Sequence, residues 1–359
     1  MAQRHPSLRY LPYREARGLP HIVVDGAPQS STVLTLSHWP NNATPDRYRR
    51  DTSTETTLAW LEENDPRRVA GIATNSHFDE DGLFSLFTLL DPGRAWRYRT
   101  LLVDAARTGD FGVYRTRAAA RLCFIIEGHA DPQRSPLPPA TFAGSPAARI
   151  AALYRALLPR LPGLLADTGS WQHLWQDQDR HLDASEALIA SGRVSIEEEP
   201  EADLAIVRIP EGLPARPLWR YLRREQAVLH PCAIHNRTRA GRLVRIQGRC
   251  LEVQYRYESW LQITSRRPAL RVDLGALARW LNRRERHGRW IWEDSLDIAP
   301  RLYLSGGVPS SLPPGLILRE LRRHLATQPP VWDPYDWPRR AATGRDGLTR
   351  GGAARITRP

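Results

Sequence analysis

Three side chains with metal-binding chemistry lie at alternate positions in this sequence: His77, Asp79 and Asp81. Carboxylate oxygens suit hard cations, and imidazole suits Mn, Fe or Zn. The alternative is a capping turn, in which an aspartate accepts N–H groups at the start of a helix. Two acids and a histidine exceed what a cap requires, so the pattern favours a metal or phosphate site.

The elements around this motif indicate where it lies in the fold. The apolar run from Val69 to Ala73 predicts a buried strand, and the run from Leu83 to Leu90 predicts a helix. In α/β proteins, ligands usually bind at the turn between a strand and the next helix. A buried group of acids is costly unless another charge offsets it, which also favours a bound cation.

Three further side chains are candidates for the same site. Asp25 and His38 each follow a predicted strand, and both lie at the same edge as the motif if the sheet is parallel. Asp110 follows a glycine near the end of a predicted helix. The alternatives are a turn at Asp25 and capping or stacking roles for the other two. We predict a Mn²⁺ or Mg²⁺ site formed by His77, Asp79, Asp81, Asp25, His38 and Asp110.

The order of the predicted elements indicates an α/β protein. Strands separated by helical segments predict an N-terminal domain with a mostly parallel sheet and flanking helices, including a strand from Leu122 to Ile126. A helical linker region and a smaller C-terminal α+β domain follow. The predicted divisions are a lead-in over 1–20, an α/β domain with the metal site over 21–131, a Pro-rich linker and helical segment over 132–200, an α+β domain over 201–330 and an Arg- and Gly-rich disordered tail over 331–359.

A β-hairpin is predicted in the second half, with strands over 243–246 and 251–258 and a turn at Gln247–Gly248. Its second strand places Tyr255 and Tyr257 on one face. Aromatic residues at this spacing either stack on bases or, more commonly, form the buried face of a sheet. Arg266, farther along the chain, is a candidate to stabilise charge on a phosphoryl group, and the alternative is ordinary surface charge.

The pattern His77-x-Asp79-x-Asp81-Gly82-x-x-Ser85 resembles the first motif of the DHH phosphoesterase superfamily, which includes single-strand exonucleases and cyclic-dinucleotide hydrolases. The resemblance implies that the histidine and both aspartates bind divalent metal, usually manganese, between a strand and a helix. It also implies that Gly82 keeps the turn tight and that Ser85 supports the helix start. The sequence has no Asp-His-His tripeptide, so the pattern would be permuted or degenerate.

A second resemblance covers more of the chain. His-Phe-Asp-x-Asp-Gly at 77–82 and Tyr-Arg-Tyr-Glu-Ser-Trp at 255–260 are similar to motifs of a bacterial family without an assigned function. This resemblance implies no particular activity.

Composition excludes several other activities. The formal net charge is +12, and all 51 basic residues are arginine. Without lysine the chain has no P-loop lysine and no Schiff-base lysine. Arginine binds phosphate well, so we expect a phosphorylated small molecule or a short nucleic acid as the partner. The three cysteines form no zinc or disulfide pattern, and neither a signal peptide nor a membrane span is indicated. We therefore expect a cytoplasmic protein without a membrane partner.

Three hypotheses of function follow from these observations. The first is a Mn- or Mg-dependent phosphoesterase that acts on a phosphodiester or nucleotide, with Asp79, Asp81 and Arg266 as catalytic residues. The second is a non-enzymatic nucleic-acid-associated protein, which the net charge suggests. The third is a catalytically degenerate DHH-like protein that binds a nucleotide without turnover.

Overall fold

A four-stranded parallel sheet is the scaffold of the N-terminal half. The computed structural model describes residues 8–40 and 42–336. The strands of this sheet are β1 (Arg9–Tyr10), β2 (His21–Val24), β3 (Thr32–Leu36) and β4 (Ile72–Thr74). They lie in the order β1-β4-β2-β3, and each neighbouring pair is parallel. The predicted parallel sheet is confirmed, and the predicted lead-in over 1–20 contributes its first strand.

Helices surround this sheet and extend through the middle of the chain. They are α1 (Ser53–Leu61), α2 (Glu80–Leu90), α3 (Pro92–Arg97), α4 (Arg99–Phe111), α5 (Arg117–Ala130), α6 (Pro146–Leu157), α7 (Leu161–Ala166) and α8 (Gln172–Ala190). Thr52 and Glu55 form a reciprocal capping box at the start of α1. The connection from β3 to β4 passes through α1, whereas β2 and β3 are joined by seven residues, 25–31, without a helix.

The predicted strand from Leu122 to Ile126 is wrong, because these residues lie inside α5. All five side chains are at most 1% exposed. A helix that is buried on every side has the same continuous apolar run as a buried strand, so hydrophobic periodicity does not distinguish the two. The parallel sheet keeps four strands, because β1 in the predicted lead-in takes the place of the strand predicted at 122–126.

The second half is an α+β unit, as predicted. Its elements are β5 (Ser195–Glu199), β6 (Leu204–Ile209), β7 (Arg216–Arg220), β8 (Arg223–Ala227), α9 (Pro231–His235), β9 (Arg242–Gln247), β10 (Cys250–Tyr255), β11 (Arg271–Val272), α10 (Gly275–Asn282), β12 (Trp290–Trp292), β13 (Arg301–Leu304), α11 (Pro314–Thr327) and β14 (Pro330–Trp332). A six-stranded sheet has the order β12-β13-β10-β9-β6-β5 and is antiparallel except between β6 and β9. Leucines and isoleucines of α10 and α11 share one apolar core with this sheet.

The predicted hairpin is present as β9 and β10, with two corrections. Cys250 pairs with Gln247, so the loop is Gly248–Arg249, one residue later than predicted. Gly248 has a φ of +57°, a value that glycine adopts without a steric cost. The second strand ends at Tyr255, and Tyr257 begins a short 3₁₀ turn instead of continuing the sheet.

The last described residues belong to the fold. β14 pairs with β11, and the Tyr335 hydroxyl donates to the Ile263 carbonyl oxygen at 2.7 Å. Residues 331–336 are therefore not part of a tail, and the rest of the predicted tail, 337–359, lies outside the described residues. No helix in the part of the chain that the structure describes has the length and apolarity needed to cross a membrane.

Candidate metal centre

The six predicted metal ligands lie together at the carboxyl end of the parallel sheet. They come from four segments: Asp25 after β2, His38 after β3, His77, Asp79 and Asp81 between β4 and the first turn of α2, and Asp110 in the last turn of α4. Ligand atoms of Asp25, His38 and Asp81 lie within 4.8 Å of one another, as do those of Asp25, His77 and Asp79. The structure thus brings together side chains that are up to 85 residues apart in sequence.

Asp25 is shared by the two groups. Its Oδ1 lies 3.3 Å from Nε2 of His38, and its Oδ2 lies 3.2 Å from Nε2 of His77. The Ser53 hydroxyl donates to Oδ1 at 2.9 Å, whereas the buried Oδ2 accepts no hydrogen bond from the described residues. Asp25 also has a φ of +44°, an unfavourable value for a residue with a Cβ. The backbone is therefore strained where it presents this carboxylate to both imidazoles.

His38 is oriented by the main chain. Its Nδ1 lies 2.6 Å from the Asp51 carbonyl oxygen, which can only accept, so the ring proton is on Nδ1. Nε2 faces Asp25 and two more carboxylate oxygens, Oδ2 of Asp110 at 3.6 Å and Oδ2 of Asp81 at 3.8 Å. It has no hydrogen-bond partner among the described residues. A histidine whose second nitrogen binds a carbonyl oxygen is the usual arrangement of a metal ligand.

Asp81 has two kinds of neighbour. Its Oδ2 and Oδ1 accept main-chain N–H groups of Ser53 at 2.6 Å and Thr54 at 2.7 Å. These are the first residues of α1, where the helix dipole favours an anion. Asp81 thus binds the start of a neighbouring helix, and its Oδ2 also faces His38.

Asp79 combines the two roles that the sequence left open. Its Oδ1 accepts the Gly82 N–H at 2.8 Å as the N-cap of α2, and its Oδ2 lies 2.7 Å from Nε2 of His77. The Asp79 side chain is 19% exposed, whereas those of the other five residues are 9% exposed or less. The cluster therefore approaches solvent on the side of His77 and Asp79.

Asp110 lies in an unfavourable position for an acid. The C-terminal end of a helix repels negative charge, and Oδ2 of Asp110 is buried without a hydrogen-bond partner in the described residues. Side chains from the second half bind the exposed carbonyls of this helix end. Arg220 donates to the Gly109 and Asp110 carbonyl oxygens at 3.3 and 3.2 Å, and the Tyr221 hydroxyl donates to that of Asp110 at 2.9 Å.

Burial and the charges of neighbouring residues shift the pKa values of the cluster. Burial, together with the neighbouring Asp25, raises the pKa of Asp81 to about 7. Burial also raises the pKa of Asp110 well above its usual range, as do Asp81 and Asp79. Burial alone would lower the pKa of His38, but Asp25 and Asp81 outweigh it and raise that pKa to about 9. Without a cation, therefore, the cluster holds protons that these groups would not hold in water.

The charges and distances fit a pair of divalent cations. If all four aspartates are ionised, two protonated imidazoles offset only half of their charge, whereas two divalent cations offset all of it with both imidazoles neutral. Ligand atoms of a six-coordinate Mg²⁺ lie about 3 Å apart, since each bond is about 2.1 Å. The separations of 3.2 to 3.8 Å around Asp25 and His38 are close to that value.

A segment of the second half covers the cluster. Trp39 lies against His77 with ring centroids 4.9 Å apart, and Trp260 packs edge-on against Trp39. The Tyr257 ring lies 6.1 Å from the His38 ring. Asp51 Oδ1 accepts the main-chain N–H groups of Thr264 and Ser265, which fixes the end of this segment. We call residues 257–265 the covering segment.

The comparisons with known proteins give a family but no activity. Residues 6–336 match the model of a family of unknown function, DUF6687. The chain belongs to the DUF6687 family. No curated protein and no solved structure matches it. The resemblance to DHH phosphoesterases stays a prediction.

The cluster of this DUF6687 protein does not include Arg266. Nη2 of Arg266 lies 3.4 Å from Oε1 of Glu258, and the same oxygen binds Arg256 at 2.7 Å. The hydrogen bonds and ion pairs of the described residues do not connect Arg266 to the six predicted ligands. Sequence analysis also missed the supporting roles of Asp51 and Ser53.

Proposed function

We propose that this protein is a metal-dependent phosphoesterase that uses Mn²⁺ or Mg²⁺ and acts on a phosphodiester or a nucleotide. The observation that carries the proposal is the carboxylate of Asp25, whose two oxygens face two separate imidazoles. Three buried ligand atoms of the cluster have no hydrogen-bond partner among the described residues: Asp25 Oδ2, His38 Nε2 and Asp110 Oδ2. Unpaired buried polar atoms are costly, so their concentration in one place supports a bound cation.

Asp25 would be shared by two cations. His38, Asp81 and Asp110 would hold one, and His77 and Asp79 the other. When bound, such cations lower the pKa of a water molecule and offset charge on phosphoryl oxygens. Asp51 keeps the proton of His38 on Nδ1, so Nε2 is available as a ligand. Ser53 holds Oδ1 of Asp25 in place.

The substrate would approach from the side of His77 and Asp79, because the Asp79 side chain is the most exposed of the six. Trp39 is buried and packs against His77, and Trp260 packs edge-on against Trp39. Arg266 stays a candidate phosphate ligand, and using it would require its guanidinium to leave Glu258.

The test is Mn²⁺-dependent hydrolysis of bis(p-nitrophenyl) phosphate and of a 5′-phosphorylated dinucleotide. We expect turnover in Mn²⁺, none in EDTA, and a loss of at least 100-fold in Asp25→Asn. Asp179→Asn is a matched control, because Asp179 is also buried and acidic but binds Arg117 and Arg121 in the helical region. Equal activity of the two variants, or hydrolysis that persists in EDTA, would refute the proposal.

A second candidate is a protein that binds metal and nucleotide without turnover. Both oxygens of Asp81 are occupied by main-chain N–H groups, and the covering segment lies over the cluster. Stoichiometric Mn²⁺ binding with no hydrolysis of any phosphoester would favour this candidate over the enzyme.

We also propose the cytoplasm as the compartment. Cys123, Cys232 and Cys250 are all free thiols, and the first two are buried. Free thiols are usual in proteins of reducing compartments. Fractionation of cells that produce the tagged protein tests this assignment.

A further inference from the structure

A surface groove of about 430 Å³ lies between α1 and α4. Residues of both helices line it, together with Trp96 of α3 and Arg50, Arg115 and Thr116 from the adjoining loops. None of the six metal-centre residues is in its lining. Its volume is within the range of small-molecule binding sites, which is about 300 to 1,000 Å³.

One part of the groove is apolar and aromatic. Leu58, Ala59 and Val103 contribute aliphatic surface. Trp96 is 43% exposed, and the guanidinium of Arg99 lies over its ring at 4.9 Å. An exposed indole beside an aliphatic floor suits a flat ring, because bases stack on the faces of aromatic side chains.

The rim of the groove carries arginines without acidic partners. Within residues 8–40 and 42–336, three arginines of the groove form no ion pair with a carboxylate: Arg50, Arg99 and Arg115. The fourth arginine, Arg107, does form an ion pair, with Glu55 at 3.1 Å. The groove acid Asp104 does not compete for these cations. Its oxygens accept the Arg115 and Thr116 N–H groups and the Thr116 hydroxyl, at 2.8 to 2.9 Å.

We propose that this groove binds a nucleoside phosphate. The base would lie against Trp96 and the aliphatic floor, and the phosphate would bind Arg50 and Arg115, whose planar guanidinium groups suit phosphate oxygens. Glu62, on the rim, is exposed and can accept a hydrogen bond from a ribose hydroxyl. This binding requires no metal, so the inference does not depend on the proposed phosphoesterase activity.

Calorimetric titration of the full chain in EDTA at low salt tests the groove, with adenosine 5′-monophosphate, adenosine and inorganic phosphate as probes. We expect the nucleotide to bind at least 10-fold more tightly than either adenosine or phosphate, because only the nucleotide contacts both the ring and the arginines. Binding of phosphate as tight as that of the nucleotide, or no binding of the nucleotide, would overturn the proposal.

Variants locate the bound nucleotide. Arg115→Gln and Trp96→Leu should each weaken nucleotide binding at least 10-fold. Arg97→Gln is the matched control, because Arg97 is an exposed arginine next to Trp96 on α3 that does not line the groove, and we expect less than a twofold change. An equal loss of nucleotide affinity in Arg97→Gln and Arg115→Gln would indicate nonspecific attraction to net charge and would refute nucleotide binding in the groove.

The two proposals fail separately. Nucleotide binding in EDTA together with no hydrolysis in Mn²⁺ would support the groove and refute the phosphoesterase. Hydrolysis of bis(p-nitrophenyl) phosphate in a protein that does not bind the nucleotide in EDTA would support the phosphoesterase and refute the groove.

Discussion

The ring of His38 donates from Nδ1 to the main-chain carbonyl oxygen of Asp51 at 2.6 Å. A carbonyl oxygen cannot donate, so this contact fixes the tautomer of the ring. In the neutral ring the lone pair of Nε2 therefore faces Oδ1 of Asp25, 3.3 Å away. Two lone pairs at this distance repel each other unless a proton or a cation lies between them. This relationship leads to the first prediction.

We expect the protein to bind two Mn²⁺ ions per chain, and Asp25→Asn to lose both, because Asp25 contributes an oxygen to each group of ligands. Asp110→Asn should weaken one of the two sites at least 10-fold. Calorimetry and metal analysis after dialysis measure the stoichiometry. Ions at 100 times their dissociation constant should stabilise the fold by about 2.7 kcal/mol per site. Asp179→Asn should bind two ions as the wild type does, and the same loss in this control would contradict the assignment.

Gly82→Ala should lower the free energy of unfolding by about 1–3 kcal/mol, because there is no space for a methyl group. A Cβ at Gly82 would lie 2.2 Å from Nδ2 of Asn75, 2.6 Å from the Tyr154 hydroxyl and 3.1 Å from Oδ2 of Asp25. We expect weaker Mn²⁺ binding as well. Urea unfolding and calorimetry measure the two effects.

Gly93→Ala is the control for that substitution. Gly93 lies in α3, and a Cβ there would meet no atom within 4 Å. Alanine in an open helical position stabilises a protein by about 0.4–1 kcal/mol. A Gly82→Ala protein as stable as the Gly93→Ala protein would show that the contacts around Gly82 are not tight.

Glu285 should make stability depend on pH in the acid range. Burial alone would raise its pKa, but hydrogen bonds from Ser310 and Ser311 outweigh burial and hold the pKa well below its usual range. A lowered pKa in the fold means that the stabilisation is complete above the unfolded-state pKa, about 4.3, and is lost as the pH falls below it. Glu285→Gln should therefore cost about 1–2 kcal/mol at pH 7 and progressively less toward pH 3.5.

Urea unfolding of the wild type and of Glu285→Gln at pH 7, 5 and 3.5 tests whether the loss of stability becomes smaller as the pH falls. Glu201→Gln, at an exposed glutamate, should leave stability unchanged within about 0.5 kcal/mol at each pH. A Glu285→Gln effect that grows as the pH falls would have the wrong sign and would contradict the prediction.

We expect Arg271 to be essential for the stability of the second half of the chain. It is 0% exposed, and its guanidinium donates to the carbonyl oxygens of Ser295, Asp297 and Ile298 at 2.6 to 2.8 Å. Arg271→Met would leave these acceptors without their donor, and we expect a loss of about 3 kcal/mol or more. Arg271→Lys should not restore stability, because an ammonium group cannot reproduce the planar set of donors. Arg279→Met, at an exposed arginine of α10, should change stability by less than about 0.5 kcal/mol.

The sequence by itself determined the local parts of the candidate centre. His77 and Asp79 are two residues apart, so a turn between strand and helix places them near each other, and their side chains lie 2.7 Å apart. Thr52 and Glu55 likewise form their capping box within one turn. Such contacts depend on backbone geometry over a few residues, which residue types and spacing specify.

Only the tertiary structure decided the rest. Asp25, His38 and Asp110 reach the motif because parallel strands and the end of α4 meet at one edge, and Asp51 binds Thr264 from 213 residues away. Residues 122–126 form a helix that is buried on all sides. Their sequence is therefore apolar at every position and lacks the periodicity that distinguishes a helix from a strand. Contacts between distant segments depend on how the whole chain buries its apolar surface, and that free energy is not contained in any short stretch of sequence.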